Sequence, residues 1–298
     1  MEKFIKLNSL ITKTLVMKYL IVLSTVLLMN IHNGNAQKLE GQIIDKTTES
    51  PLAYVNIGIV ELGIGTVSDE KGKFALKVSK DKADSVLFSA LGFESVKYSI
   101  SGLLKEPIVK LNPKSYELKT FDVVDKARGR DKIFGKKKGI PQGETNLMGN
   151  SPGDEIGAHI RIKQPTYLKS ANFNITRVSG DSMIFRVNIY EFNNGEIGDN
   201  LLKENVLLES SQEEGIVTVD LTPYQLLIEQ DVLLTLENID VDLNKNDRGI
   251  LFKYVPVWFK AKGFYIRKGV NSKNVNGSFL KLLDGVELCF YFVGRELK

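Results

Sequence analysis

The stretch of sequence best equipped for chemistry lies between residues 253 and 267. Tyr254, Trp258, Phe259, Phe264 and Tyr265 crowd together there with Lys253, Lys260, Lys262 and Arg267. Aromatic faces stack on sugar rings, while flanking polar groups fix the orientation of what is bound. Tyr254, Trp258, Tyr265 and Arg267 are therefore the candidate ligand-binding residues, and an envelope glycan or a protein is the expected partner. The competing reading places most of these rings in a core. Trp258, the single tryptophan, separates the two readings best.

The remaining reactive groups are few. The chain has two histidines and one cysteine. His32 falls in the N-terminal segment 1–36, which has the pattern of a signal peptide, and that leaves His159. A zinc site of two histidines and a carboxylate cannot be assembled from that inventory. A serine triad needs an imidazole beside a nucleophile, and no nucleophile-elbow pattern is present. His159 sits in a strand-like run near Arg161 and is expected to be structural. Cys289 lies within the apolar run Leu288-Cys289-Phe290-Tyr291-Phe292, where a buried small hydrophobe is expected. With no second cysteine, no disulfide forms within the chain.

Asp240-Val241-Asp242-Leu243-Asn244-Lys245-Asn246-Asp247 alternates oxygen-bearing side chains in the manner of a calcium loop. Lys245 stands where an EF-hand needs glycine, and Leu251 where it needs glutamate, so a polar turn is favoured. Catalytic residues, cofactors and metal ligands are all expected to be none. Glycoside hydrolysis, however, needs only two carboxylates. A carboxylate-dependent envelope hydrolase is therefore the rival to a non-enzymatic binding protein.

The elements that would position these groups begin after residue 36. Lys13 and Lys18 precede the uncharged apolar run Tyr19–Met29, and Gly34-Asn35-Ala36 ends the polar stretch after it. That is the pattern of a secretory signal peptide (residues 1–36) cleaved before Gln37. A helix over the run covers about 16 Å against a hydrocarbon core of roughly 30 Å, too short for an anchor. Export to the periplasm, the outer-membrane surface or the exterior is the expectation, with no transmembrane segment in the mature chain. Met17-Lys18-Tyr19-Leu20 also resembles a start of translation.

The signal holds Lys3, Lys6, Lys13 and Lys18 against Glu2, so residues 37–298 carry 36 basic and 35 acidic side chains. A formal charge of +1, rather than the +4 of the whole chain, gives no reason to invoke nucleic acid.

Beyond residue 37 the sequence is a succession of short alternating runs broken by Gly, Asn, Asp and Pro, which predicts an all-β fold. Residues 37–114 give about seven strands, the count of a small β-sandwich. Asp69-Glu70-Lys71-Gly72 is a tight turn between two of them. Residues 115–154 read as a basic, glycine-rich linker. Residues 155–298 read as a second, jelly-roll-like β-sandwich of about nine strands. In its run Phe185-Arg186-Val187-Asn188-Ile189-Tyr190, the apolar residues share one face and Arg186, Asn188 and Tyr190 the other.

Several features of the first domain occur together: Gly41…Asp45, Pro51-Leu52, Val55-Asn56, Gly65-Thr66, Asp69-Glu70-x-Gly72-x-Phe74 and Leu91-Gly92-Phe93. Residues 39–112 thereby resemble the carboxypeptidase regulatory-like domain, and the resemblance implies a seven-stranded transthyretin-like sandwich. In that family the module is an accessory beside zinc carboxypeptidases or ahead of outer-membrane receptors. The missing zinc ligands disfavour a carboxypeptidase. The residues left after position 130 are too few for a receptor barrel. The run "RVNIYEFNNGEIGDNLLKENV" with "GIVTVDLTPYQLLI" is similar to a C-terminal sandwich paired with this module in diderm bacteria, which implies architecture alone. An exported, non-enzymatic accessory or binding protein of the cell envelope is the expectation.

Overall fold

Among the described residues the first domain contains β1 (Ala36–Asp45), β2 (Asn56–Ile59), β3 (Ile64–Val67), β4 (Lys73–Ser79), β5 (Ser85–Ser89), β6 (Val96–Ser99) and β7 (Ile108–Leu111). The structure is a computed structural model. It describes residues 17–19, 36–62, 64–79, 84–114, 129–140, 143–148, 152–179, 183–210, 215–240, 249–256, 263–267, 279–282 and 285–297. Strands β4-β1-β7 make one sheet and β3-β2-β5-β6 the other. Phe74 of β4 meets Phe88 of β5 edge to face, with ring centres 5.5 Å apart, and so joins the two layers. Burial of Ile43, Ile57, Phe88 and Val109 supplies the hydrophobic drive.

The turn into β4 is fixed by its own side chain. Asp69 Oδ1 accepts hydrogen bonds from the backbone amides of Lys71 and Lys73. Gly72 then takes φ +70°, and its carbonyl accepts from Ile43 N at 2.8 Å. A Cβ at this position would lie 2.5 Å from the Ile43 carbonyl oxygen. Left-handed strain and backbone overlap therefore act together, and Gly72→Ala is expected to destabilise the protein by about 2 kcal/mol or more. A urea titration showing no change in midpoint would refute that account of the turn.

The second sandwich starts earlier than the sequence suggests. Its strands are β8 (Lys132–Gly135), β9 (Gly143–Met148), β10 (Glu155–Ile160), β11 (Thr166–Ser179), β12 (Met183–Asn193), β13 (Glu196–Asn200), β14 (Val206–Ser210) and β15 (Gly215–Asp220). They continue with β16 (Leu227–Ile228), β17 (Val232–Asn238), β18 (Gly249–Pro256), β19 (Phe264–Arg267), β20 (Leu280–Leu282), β21 (Val286–Leu288) and β22 (Phe290–Glu296). Segment 115–154, expected as a linker, thus contributes β8 and β9, which pair with β22 and β18. Both are short and glycine-containing, and in β8 only Phe134 turns onto the core between exposed neighbours, so no hydrophobic period betrays them.

One sheet runs β13-β12-β17-β10-β19-β20, with β14 also on β12. The other runs β21-β18-β11-β22-β8, with β15 and β16 on β11 and β9 on β18. Ile156, Phe185, Val187, Leu234 and Leu236 from the first pack with Phe173, Phe252, Phe290 and Phe292 from the second in one core. Phe290 stands edge-on to both Phe173 and Phe252. The all-β class and the sandwich architecture hold. Cys289 is buried beside this core at 2% exposure. Among the described residues no helix is long and apolar enough to cross a membrane.

Lys38–Leu76 and the described residues from Asp84 onward belong to one compact unit. Within it the two sandwiches touch through a small apolar cluster of Tyr54, Val67 and Ile239, with Ala53 and Ile184 against it.

Candidate functional site

Strand alternation sends Arg186, Asn188 and Tyr190 of β12 away from the sandwich core, as their spacing requires. Strand pairing then sets partners for them across the sheet. Arg186 lies opposite Glu237 of β17, Glu237 opposite Glu155 of β10, and Glu155 opposite Arg267 of β19. Four charged residues far apart in sequence thus form one row across four strands, ordered plus, minus, minus, plus.

This outer face is not solvated. Arg186, Asn188, Glu155, Glu237 and Thr235 are each at most 2% exposed. A buried charge is tolerable only when paired and hydrogen-bonded, and the row meets that condition. Arg186 Nε donates to Glu237 Oε2 at 2.9 Å. Asn188 Nδ2 bridges the two carboxylates, donating to Glu155 Oε1 at 2.9 Å and Glu237 Oε2 at 3.0 Å. Thr235 Oγ1 also donates to Glu155, and Arg267 Nη2 closes the row by an ion pair with Glu155 Oε2.

The first sandwich covers one end of the row. Arg186 Nη1 donates to the Tyr54 carbonyl at 2.8 Å and to Asn205 Oδ1 at 3.0 Å, and Nη2 donates to Asn56 Oδ1 at 2.8 Å. Tyr54 takes φ 58°, a left-handed conformation that is costly for a tyrosine. Its hydroxyl donates to Glu70. Burial first, then the Glu70 charge, push the phenol up to about 12, so it remains a donor.

The two carboxylates differ in their electrostatics. Burial drives Glu155 above the ordinary glutamate range; the Arg267 charge opposes this without cancelling it, and neighbouring Glu237 adds to it. Burial also acts against ionised Glu237, but the charges of Arg186 and Arg267 and the hydrogen bonds from Arg186 and Asn188 outweigh it and hold the group low.

At its other end the row opens into a cleft of about 520 Å³. Its walls are Tyr190, Arg267, Phe279 and the β12–β13 hairpin, which contributes Gly195, Glu196, Ile197 and Gly198. Asn194 and Gly195 at the hairpin tip both have positive φ, the conformation that Asn-Gly turns favour. The Arg267 guanidinium carbon lies 5.0 Å from the Phe279 ring centre and 5.7 Å from that of Tyr190. Its Nη2 also donates to the Tyr190 hydroxyl at 3.1 Å.

Of the four residues proposed from sequence, Arg267 alone is a described wall of this cleft. Tyr265 is 8% exposed and packs with Phe192 and Leu233. Tyr254 lies on β18 in the opposite sheet, paired with Leu288. Its side chain, all of Trp258, the Val241–Asn246 part of the oxygen-rich loop with Asp247, and the signal segment other than residues 17–19 and 36 lie outside the described residues. Tyr190, Glu196 and Phe279 are cleft residues that local sequence clustering does not single out.

His159 Nε2 bonds Asp231 Oδ2 at 2.7 Å, and the ring stacks on Phe192 at 4.2 Å. Asp231 Oδ1 also accepts from Ile162 N, so the pair ties the end of β10 to the start of β17. Among the described residues no hydroxyl or thiol bonds the imidazole, and no three His, Cys, Asp or Glu side chains come together to hold a metal ion.

Comparison with known proteins places two things beside this chain. Two solved structures of the clostridial cysteine protease Cwp84 are similar to it. One, after propeptide cleavage, shares 11% identity over 78% of this chain and 51% of its own, with a TM-score of 0.39. The other holds the cysteine protease and lectin-like domains of the same surface layer associated protein of Clostridium difficile, at 10% identity, 78% and 45% coverage and a TM-score of 0.38. This chain spans about half the length of those structures, and likeness at that level carries no functional argument. No curated protein matches the chain. The second finding concerns the first sandwich, where the motifs at Gly41, Asp69–Gly72 and Leu91–Phe93 predicted a resemblance: residues 39–123 match the family of the CarboxypepD_reg-like domain.

Proposed function

We propose that the protein is an exported, non-enzymatic accessory of the cell envelope that binds a glycan or a partner protein through the cleft of its second sandwich. The observation that supports this reading is the fate of the carboxylates. Glycoside hydrolysis takes two carboxyl groups facing one substrate. Among the described residues the cleft wall holds one, Glu196. Glu155 and Glu237, side by side, are at most 2% exposed; both Glu155 oxygens and Glu237 Oε2 are engaged by Arg186, Asn188, Thr235, Tyr190 and Arg267. Beside that single carboxylate, a pair of aromatic rings and a guanidinium face the cleft, and these hold a ligand without transforming it.

Export rests on the pattern of residues 1–36, and the N-terminus of protein recovered from its native host is expected to be Gln37. Retention of residues 1–36 would remove that part of the reading. For binding, purified protein is incubated with peptidoglycan sacculi and with lipopolysaccharide, and both co-sedimentation and reducing-end release are measured. Retention without release is the expected result. Release that disappears in Glu196→Gln would instead support the carboxylate-dependent hydrolase.

A further inference from the structure

We infer that the cleft between the β12–β13 hairpin and Phe279 takes a carboxylated saccharide, with its carboxylate on Arg267 and its ring against Phe279 and Tyr190. The inference rests on the binding reading above and adds a ligand class to it.

The first support is the state of Arg267. Its side chain is 24% exposed while its partner Glu155 is fully covered, so the guanidinium stands between the buried row and the cleft. Among the described residues its hydrogen bonds all leave from Nη2, to Glu155 and to Tyr190. The donors on Nε and Nη1 have no partner among those residues. Each can donate a charge-assisted hydrogen bond to an anionic oxygen.

A second, independent support is the aromatic frame. Phe279 and Tyr190 meet edge to face with centres 5.4 Å apart, and both lie within 6 Å of the guanidinium. Such surfaces accept the apolar face of a sugar ring. Glu196 on the facing hairpin is an acceptor for hydroxyl groups, and Gly195 leaves open space beside it. The volume, about 520 Å³, falls among small-molecule sites, which run from roughly 300 to 1,000 Å³.

Charge favours a carboxylate over a phosphate monoester. Glu155 spreads its negative charge over Asn188, Thr235 and Tyr190 as well as Arg267. One guanidinium shared in this way, with Glu196 opposite, suits a single negative charge. A phosphate monoester brings about −1.5 to −2 at neutral pH, more than the cleft balances.

The test is calorimetric titration of the purified protein with tetrasaccharides of galacturonate, glucuronate and mannuronate. Each is compared with the neutral galactose, glucose or mannose tetrasaccharide of the same linkage. At least one uronate is expected to bind tenfold or more tightly than its neutral match. Arg267→Lys, which keeps a charge beside Glu155 but loses the Nε and Nη1 donors, is expected to lower that affinity at least tenfold. Phe279→Ala, outside the buried row, is expected to do the same. Equal binding of the neutral sugars, or unchanged affinity in Phe279→Ala, overturns the inference. So does displacement of the uronate by inorganic phosphate at equal concentration, which would make the site a plain anion site. If no uronate binds yet sacculi or lipopolysaccharide are still retained, the ligand class falls and the binding function stands. If nothing is retained, both fall.

Discussion

Replacing Arg186 with alanine is expected to cost about 3–5 kcal/mol of stability, because it strands a buried carboxylate. Glu237 is 2% exposed, and Arg186 is the cation bonded to it. The substitution also removes the donors to the Tyr54 carbonyl, Asn56 and Asn205. The first sandwich therefore loses the hydrogen bonds that Arg186 gives it and keeps the small apolar cluster at Tyr54, Val67 and Ile239. Denaturant unfolding gives the energy, and small-angle scattering reports the docking. The double variant Arg186→Met with Glu237→Leu separates the two effects. An apolar pair of similar volume recovers most of the stability, but it supplies no donor for Tyr54 or Asn56. Stability near wild type with a larger radius of gyration is the expected result for the double variant. A cost below about 1 kcal/mol for Arg186→Ala would show that water or a rearranged neighbour satisfies Glu237, and the clamp would have to be abandoned.

The clamp explains which parts of the molecule were legible from sequence. Local pattern carried the strand identities: Phe185, Val187 and Ile189 alternate with Arg186, Asn188 and Tyr190, and that assignment of faces matches the structure. Turn chemistry was equally local, since Asp69 and Gly72 fix their hairpin within four residues. The ionic row was hidden because its members meet only through register. Glu155 lies 82 positions from Glu237, and Arg267 another 30 beyond it, and no periodicity encodes that pairing. An alternating polar face also reads as a solvent face, whereas here a domain and a hairpin cover it. The aromatic cluster is divided between sheets for a related reason. Tyr254 and Tyr265 are close in sequence but lie on strands of different sheets, so proximity along the chain did not become proximity in space. Arg267 was found through its neighbours in sequence, but its partners in the cleft come from β12 and from Phe279.

The same register predicts opposite responses from the two central carboxylates. Glu237→Gln is expected to cost about 3–5 kcal/mol at neutral pH, since it leaves Arg186 buried without a counter-charge. Glu155→Gln is expected to cost about 1 kcal/mol or less, near the size of one neutral hydrogen bond. Burial already disfavours the charge of Glu155. The hydroxyls of Thr235 and Tyr190 can rotate to accept from the new amide, and Arg267 keeps some solvent. The pH dependence comes from linkage. Glu237 is held low in the fold, so its contribution is complete above the ordinary glutamate pKa of about 4.3 and is lost as pH falls through its folded value. Glu155 is held high, so its contribution is complete below about 4.3 and is lost as pH rises through its folded value. Stability followed from pH 3 to 8 should therefore lose its acid limb in Glu237→Gln and flatten above about pH 4.3 in Glu155→Gln. Equal cost for the two glutamines, or an acid limb unchanged in Glu237→Gln, would mean that the row does not divide charge between its carboxylates in this way.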